Sequence, residues 1–218
     1  MRKSNWEFKM TVEEKYALYE KILIKWNGKM NLVAKSTLGE IRKRHIDDSV
    51  QLAKFIQKNK TIIDLGSGAG FPAVVLAILG YNVIAIESIA KKCKFLEEVK
   101  SKLNIPNLKI VNDRVENVTR GLWPVIRSTN YGTKISKNHK KKKYESRVKS
   151  KNYVFTARAF APLIRIFEIT QKLDIPYILL KGQGAPAEIA VAQRKYSFKA
   201  DLYPSDTGNG FIIKLTIM

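Results

Sequence analysis

The stretch Asp64-Leu65-Gly66-Ser67-Gly68-Ala69-Gly70 has the residue types and spacing that most directly imply chemistry. Glycines let a backbone turn sharply and approach a ligand with no Cβ in the way. The stretch follows the apolar run Ile62 to Leu65 and precedes a helical one. It therefore belongs at the carboxyl end of a strand, where open α/β sheets bind their ligands. A dinucleotide fingerprint needs Gly or Ala at position 71, and Phe71-Pro72 stands there. A phosphate loop needs Gly-Lys-Ser/Thr, which is absent. The remaining D-x-G-x-G-x-G spacing matches sites for S-adenosyl-L-methionine, making Gly66, Gly68 and Gly70 cofactor candidates. Glu87 follows the apolar run Val83 to Ile86, 23 residues after Asp64. A carboxylate only accepts hydrogen bonds, so it can take both hydroxyl hydrogens of a ribose. Its competing role is a helix N-terminal acid favoured by the dipole. Asp64 has two open roles, holding the loop's amides or facing the ligand's ammonium.

The methyl acceptor is narrowed by what the chain lacks. Pyrimidine C5 chemistry needs a cysteine nucleophile; the one cysteine, Cys93, lies between Lys92 and Lys94 in a helical stretch and reads as packing. The D/N-P-P-Y/F/W motif of exocyclic amine chemistry is absent. No general base stands in the fourth-strand region, where Arg158 is the first charged residue. A nucleophile that needs no deprotonation suits such a site. Guanine N7 carries a free lone pair, and its methylation relies on proximity, in-line orientation and electrostatics. One cysteine and two histidines, His45 and His139, exclude a disulfide framework within the chain and give no basis for a metal site.

These residues need a scaffold. Thr11 with Glu14 predicts a capping box, and Tyr16, Tyr19, Leu23, Trp26 and Met30 form one helical face behind it. Thr37 with Glu40 predicts a second capping box, opening a helix that carries Ile41, His45, Ser49, Leu52, Ala53 and Ile56. Residues 1–58 thus read as an N-terminal helical cap and 59–218 as the catalytic domain. Strands are predicted at Ile62–Leu65, Val83–Ile86, Leu108–Val111, Tyr153–Thr156 and Tyr177–Leu180. Helices lie between them, one ending at Gly80 and one spanning Lys91–Leu103. Strands alternating with helices imply a parallel sheet with right-handed crossovers. Tyr196–Leu202 and Gly210–Ile217 read as a terminal antiparallel hairpin. The expected fold is α/β: a seven-stranded, mostly parallel, Rossmann-like sheet.

Lys and Arg number 40 against 19 Asp and Glu, a formal net charge of +21. A field of that sign attracts polyanions and raises their encounter rate. A Lys-rich codon bias is the competing explanation, and the many Lys, Asn and Ile residues fit it. The insertion 121–152 holds ten basic residues, among them Lys140, Lys141, Lys142 and Lys143, against the single acid Glu145. It reads either as a solvated surface loop or as an RNA-contacting arm. The N-terminus has no apolar stretch behind its basic residues and no run of 18 apolar residues occurs, so the expectation is a cytoplasmic chain with neither secretory signal nor membrane span.

Five short motifs then fall in a telling order: Arg44-His45-Ile46-Asp47-Asp48-Ser49, Asp64 to Pro72, Arg114-Val115-Glu116, Arg158-Ala159-Phe160-Ala161 and Lys181-Gly182-Gln183. With the pairs Trp26-Asn27 and Asn31-Leu32, the chain resembles the ribosomal small-subunit methyltransferase G family, also called glucose-inhibited division protein B. The resemblance covers nearly everything outside the insertion. It implies a class I S-adenosylmethionine-dependent methyltransferase acting on guanine N7 at position 527 of 16S rRNA, near the decoding region. The partner would be 16S rRNA or the small ribosomal subunit, and the enzyme a monomer. It implies cofactor contacts from Gly66, Phe71 and Arg158, and an adenine side formed by Val115 and Glu116. Arg158, Arg114 and Lys181 become the catalytic candidates, and Arg44, His45 and Lys91 candidates for RNA contact. For Arg44 and His45 the competing reading is structural, a helix-surface Arg and a packed His. Ala73 departs from a usual glycine and Asn209 from a frequent arginine. Two other classes share parts of the pattern: a small-molecule methyltransferase, which does not need the charge, and a non-catalytic RNA-binding relative. A nicotinamide dehydrogenase is disfavoured by Phe71.

Overall fold

Thr11 and Glu14 form the capping box their spacing predicts: Glu14 N donates to Thr11 Oγ1 at 3.2 Å and Thr11 N to Glu14 Oε2 at 2.7 Å. Helix α1, Val12–Asn27, follows, burying Tyr16, Tyr19, Ile22 and Leu23. The computed structural model describes residues 10–120, 152–170, 173, 175–208 and 210–218. Lys140 to Lys143 and Asn209 lie outside them.

Two sequence expectations for the cap are corrected. The first concerns Met30, which follows the end of α1 instead of continuing its face. Asn27 ends the helix, and its Oδ1 accepts Leu32 N at 2.8 Å and Val33 N at 2.9 Å, folding the chain back. The second is the Thr37/Glu40 capping box, which does not form. A 3-10 turn occupies Lys35–Glu40, with Ala34 at its N-cap and no side-chain cap. Thr37 instead donates its hydroxyl to the Ala34 carbonyl at 2.8 Å. The helix behind it is continuous in hand but not in pitch. It runs as a π-turn over Arg42–Asp47, an α-helical turn Asp48–Val50 (α2) and a 3-10 turn Gln51–Lys54. Such widened turns recur at functional sites; this one presents the Arg44 carbonyl, the His45 ring and the Asp48 carboxylate to one guanidinium.

The sheet has seven strands: β1 Thr61–Leu65, β2 Asn82–Glu87, β3 Leu108–Asn112, β4 Tyr153–Arg158, β5 Tyr177–Lys181, β6 Phe198–Pro204 and β7 Phe211–Ile217, in the order β3-β2-β1-β4-β5-β7-β6. The first five are parallel; β7 is antiparallel to both β5 and β6. Between them run α3 Ala73–Ile78, α4 Ala90–Lys102, α5 Val115–Arg120, α6 Leu163–Ile169 and α7 Ala185–Gln193. Alternate residues of each strand point to opposite faces, and the core divides accordingly. Ile62, Val83, Ala85 and Val154 pack with α1, α3 and α4. Ile63, Ile84, Ile86 and Phe155 pack under α5, α6 and α7. Burial on both faces explains why these strands read as continuous apolar runs.

Gly80 ends α3 as predicted. At φ +87° its N–H bonds the Ala77 carbonyl at 2.9 Å, and Tyr81 N bonds the Leu76 carbonyl at 3.1 Å, the paired bonds of a Schellman closure. Ala73 opens α3 and is fully buried. β1 leads to β2 and β3 on one side, while β4 lies on its other side. The strand order therefore reverses between β1 and β4, where open sheets leave a crevice. Among the described residues, no helix is long and apolar enough to cross a membrane.

Candidate active site

The glycine turn leaves β1 with Gly66, Gly68 and Gly70 all at positive φ, +69°, +54° and +89°, a region other residues rarely adopt. A Cβ at Gly66 would collide with the Phe160 ring, and one at Gly70 would lie 2.8 Å from the Tyr19 hydroxyl. A Cβ at Gly68 would meet only the Gly66 carbonyl, at 3.7 Å. Gly70 is thus required by packing against the cap, while Gly68 borders open space. Glu87, buried at the end of β2, holds this turn: Oε2 accepts Gly68 N at 2.9 Å and Oε1 accepts Ile89 N at 2.8 Å. The loop-holding role left open for Asp64 is filled by Glu87. Each Glu87 oxygen still has accepting capacity for a ribose.

Asp64 sits opposite Thr156 in the β1–β4 register, and Oδ1 accepts the Thr156 hydroxyl at 2.9 Å. Oδ2 is buried and has no hydrogen-bond partner. Burial raises the carboxyl pKa from 3.8 to about 6, against the lowering effect of Ser67 and Thr156. A buried, half-satisfied carboxylate is costly. That cost is offset when a cation binds nearby, so this residue fits a sulfonium or ammonium ligand.

Arg158, the last residue of β4, reaches the cap. Nη2 donates to the Arg44 carbonyl at 3.0 Å and to His45 Nδ1 at 2.6 Å, and Nε lies 3.6 Å from Asp48 Oδ2. The guanidinium stands over the Phe71 ring, 5.5 Å from its centroid, and Nη1 is a buried donor without a partner. A guanidinium only donates, so His45 Nδ1 must be the bare nitrogen. Nε2 then carries the hydrogen and donates to Thr37 Oγ1 at 2.9 Å, and Thr37 donates to the Ala34 carbonyl. The ring stacks on Phe71 at 5.0 Å and 27°. Burial, then the charges of Arg158 and Arg44, push its pKa down to about 4, in accord with the neutral ring that the hydrogen bonds demand.

Asp48 is the hub that its motif alone does not reveal. Its Oδ1 accepts the Ser205 hydroxyl at 2.8 Å and the Thr207 hydroxyl at 2.9 Å, joining the cap to the β6–β7 turn. Thr156 and Phe160 also join the site without a role assigned from sequence. The signal for Thr156 is a polar side chain in an apolar strand, though only the β1–β4 register places it beside Asp64.

Two cavities meet here. One of about 280 Å³ is lined by Gly66–Ala69, Phe71 and Lys92, with Leu32 to Ala34. The other, about 520 Å³, is lined by Arg44, Asp48, Phe160, Lys181, Ser205 and Phe211 among others. Thr37, His45, Arg158 and Ala159 line both. The structure thus brings together the glycine turn, Phe71, Arg44, His45, Arg158 and Lys181. Lys181 is not a free cation: Nζ bonds the Ala161 carbonyl at 2.6 Å and Glu188 Oε2 at 2.7 Å.

Arg114 is exposed beside the end of β3, four strand spacings from Lys181 on β5, roughly 19 Å. The two candidates flank the crevice from opposite sides. Val115 is buried in the core behind β3, and Glu116 pairs with Arg165 at 2.8 Å. Lys91 is exposed on α4 and bonds the Lys29 carbonyl at 3.1 Å.

The model of the family described as rRNA small subunit methyltransferase G matches residues 12–204. Over 208 residues the chain is 35% identical to the ribosomal RNA small subunit methyltransferase G of Gluconobacter oxydans, covering 93% of this chain and 92% of that protein. It is 31% identical over 207 residues to the same-named protein of Rickettsia prowazekii, with coverage of 93% and 92%. Among solved structures, the fold resembles an O-methyltransferase from Bacillus cereus in complex with SAH at TM-score 0.54 and 14% identity, covering 92% and 91% of the two chains. A SAM-dependent methyltransferase from Aquifex aeolicus gives TM-score 0.54 at 12% identity, covering 91% and 98%. The architecture is therefore that of the class I methyltransferases. On the family match and the identity maintained across nine-tenths of its length, the chain belongs to the rRNA small subunit methyltransferase G family.

Proposed function

We propose that this chain uses S-adenosyl-L-methionine to methylate guanine N7 in 16S rRNA of the small ribosomal subunit, at position 527. The observation that carries the reading is the pair of abutting cavities, one built on the glycine turn and one on Arg158, Phe160 and Lys181, sharing the His45–Arg158 pair as a common wall. The cofactor supplies an electrophilic methyl group on a positively charged sulfur. The residues present fit it: Gly68 leaves backbone room, Glu87 offers acceptors for the ribose, and Asp64 places an incompletely satisfied negative charge behind the turn. Val115 and Glu116 are the residues proposed for the adenine side at the end of β3, where only their backbone is free to act because the Val115 side chain is in the core and Glu116 pairs with Arg165; Arg114 is the proposed phosphate contact on that flank.

The acceptor must arrive with its nucleophilic atom bare. Neutral His45 is committed at both ring nitrogens, and the Asp48 carboxylate is engaged by the Ser205 and Thr207 hydroxyls and by Arg158. Guanine N7 needs no base. Nη1 of Arg158 carries two buried N–H donors without a partner; a small side-chain shift at the cavity wall would turn one of them to guanine O6, beside N7 on the same base edge. Arg44, His45, Lys91 and the stretch Lys140–Lys143 are the proposed RNA contacts, and the net charge of +21 favours a polyanionic partner. The acting species is proposed to be a cytoplasmic monomer.

The test is transfer of labelled methyl to undermethylated small subunits, with the product mapped in the rRNA. Wild type should place 7-methylguanosine at one position. Arg158→Ala should fall by about tenfold or more, as expected when a charged donor is removed, with its melting curve still cooperative. Label at another atom, or full activity in the variant, refutes the assignment.

A further inference from the structure

We propose that Phe160 is the platform on which the acceptor base stacks, and that Ala159 and Lys181 are positioning residues that hold it there; this rests on the methyl-transfer reading above. Phe160 follows β4 in the segment Arg158-Ala159-Phe160-Ala161. Ala159 has φ +49°, a left-handed conformation that alanine avoids and that recurs where surrounding structure enforces a functional geometry. Two residues on, the Ala161 carbonyl is tied to Lys181 Nζ, and Lys181 is tied to Glu188 Oε2. Glu188 Oε2 also accepts Leu163 N at 3.0 Å, which fixes the start of α6. The Lys181 side chain is only 9% exposed, so it serves as a strut between β5, α7 and this loop. Phe160 is thus carried between two pinned points.

The ring packs on Gly66, where no Cβ would fit, and it also lines the larger cavity. It therefore stands between the methyl-donor turn and the acceptor space. Phe211 borders that space too, but it lies at the start of β7, beyond β5 and away from the turn. Phe160 is only partly buried and packs at the margin of the core beneath α5, α6 and α7, so part of its surface is left to the larger cavity. Bases stack on aromatic rings whatever their sequence context. Guanine N7 gives its lone pair to the methyl carbon, the electron pair of the breaking carbon–sulfur bond stays on sulfur, and the positive charge passes to the purine. An aromatic face attracts a cation, so the stack strengthens as that charge develops. Interactions stronger in the transition state act on kcat.

The experiment compares wild type, Phe160→Leu and Phe160→Tyr in methyl transfer to undermethylated small subunits, with S-adenosylhomocysteine affinity measured by calorimetry in parallel. Phe160→Leu should lose roughly tenfold to a hundredfold in kcat/KM, the range expected for one lost base stack, with the loss visible in kcat. Phe160→Tyr, which keeps the π face, should stay within about threefold of wild type, and cofactor affinity should be the same in all three. If leucine lowers the melting temperature, Phe160→Met supplies the same comparison. Wild-type transfer by the aliphatic variant, or equal losses in tyrosine and leucine variants, overturns the proposal. A loss of cofactor affinity that accounts for the loss of transfer also overturns it, because the ring would then serve the glycine turn. Absence of transfer by the wild type itself refutes the underlying activity, and the platform with it.

Discussion

Replacing Asp64 by asparagine should make the ligand-free protein more stable and its cofactor binding weaker. The carboxyl is fully buried, with one oxygen bonded to Thr156 and the other without a partner. Its pKa is raised from 3.8 to about 6, chiefly by burial. Between those values the folded chain holds a proton that the unfolded chain has released. Stability from this group is therefore complete below pH 3.8 and lost as pH rises through about 6. Ionising a carboxyl raised that far costs the fold about 3 kcal/mol at pH 8, or roughly 6–12 °C in melting temperature for a chain of this size. Asparagine removes the charge and keeps an acceptor for Thr156, so Asp64→Asn should recover up to that amount. Melting both proteins across pH 4.5 to 8 cancels every other titration in the difference. The gap in favour of the variant should be smallest at the acid end, widen as pH rises to about 6 and stay constant above it. Calorimetry with S-adenosylmethionine should show about tenfold weaker binding by the variant at pH 8. A gap that stays flat with pH, or a variant less stable at pH 8, would refute the view that Asp64 is held as a strained charge for a cationic ligand.

His45 supplies an opposite pH signature. Its neutral form is favoured in the fold, so its contribution is present above pH 6.5 and lost as pH falls towards 4; His45→Phe should lose less stability over that interval than wild type in parallel denaturant titrations, and equal slopes would count against the neutral ring. Ala159→Gly should be neutral to about 1 kcal/mol stabilising, since relief of the left-handed backbone is partly offset by glycine's extra chain entropy, whereas Ala159→Val should destabilise in the same urea titration. Glu87→Gln should weaken cofactor binding about tenfold while unfolding cooperatively, because its amide keeps only one of the two oxygens that now hold Gly68 and Ile89; unchanged calorimetric affinity would remove Glu87 from the site.

The parts legible in the sequence are those governed by local rules. The β1 glycine turn, the strands as short apolar runs, the Thr11–Glu14 cap and the Gly80 stop depend on neighbours within a few residues, and the structure bears each of them out. The cap's second half departs from its sequence pattern for an identifiable reason. Thr37 and Glu40 have the spacing of a capping box, but the Thr37 hydroxyl is engaged by the Ala34 carbonyl and by His45, eight residues away. The same long-range demand widens the helix at Arg42–Asp47, which no helical periodicity announces. Asp48 and Thr156 are invisible as site residues in the sequence because their partners, Ser205 and Asp64, lie 157 and 92 residues away. Lys181 is legible as a basic position but not as a strut, since Ala161 meets it only through the β4–β5 pairing and Glu188 only once the following helix folds back on β5.

The electrostatics of the crevice run against those of the chain as a whole. Cations outnumber anions 40 to 19 over the full sequence. Around the glycine turn that excess disappears: Asp64 and Glu87 match Arg158 and Lys92, with His45 uncharged, and Asp48 pairs with Arg158 at the edge of the neighbouring cavity. A positive exterior draws in a polyanion, but the same field would repel a sulfonium donor if it extended into the pocket. Buried carboxylates cancel it locally, because charges in a low-dielectric interior act more strongly at short range than screened surface charges do. The arrangement also explains why Arg158 is tied to Asp48 and to a neutral ring. A free guanidinium beside a cationic donor would raise the cost of binding it, whereas a neutralised one can stay at the wall between the two cavities as a directional donor. Removing Asp48 alone should therefore cost more cofactor affinity than removing Asp48 and Arg158 together, and a calorimetric double-mutant cycle showing simple additivity would rule out this coupling.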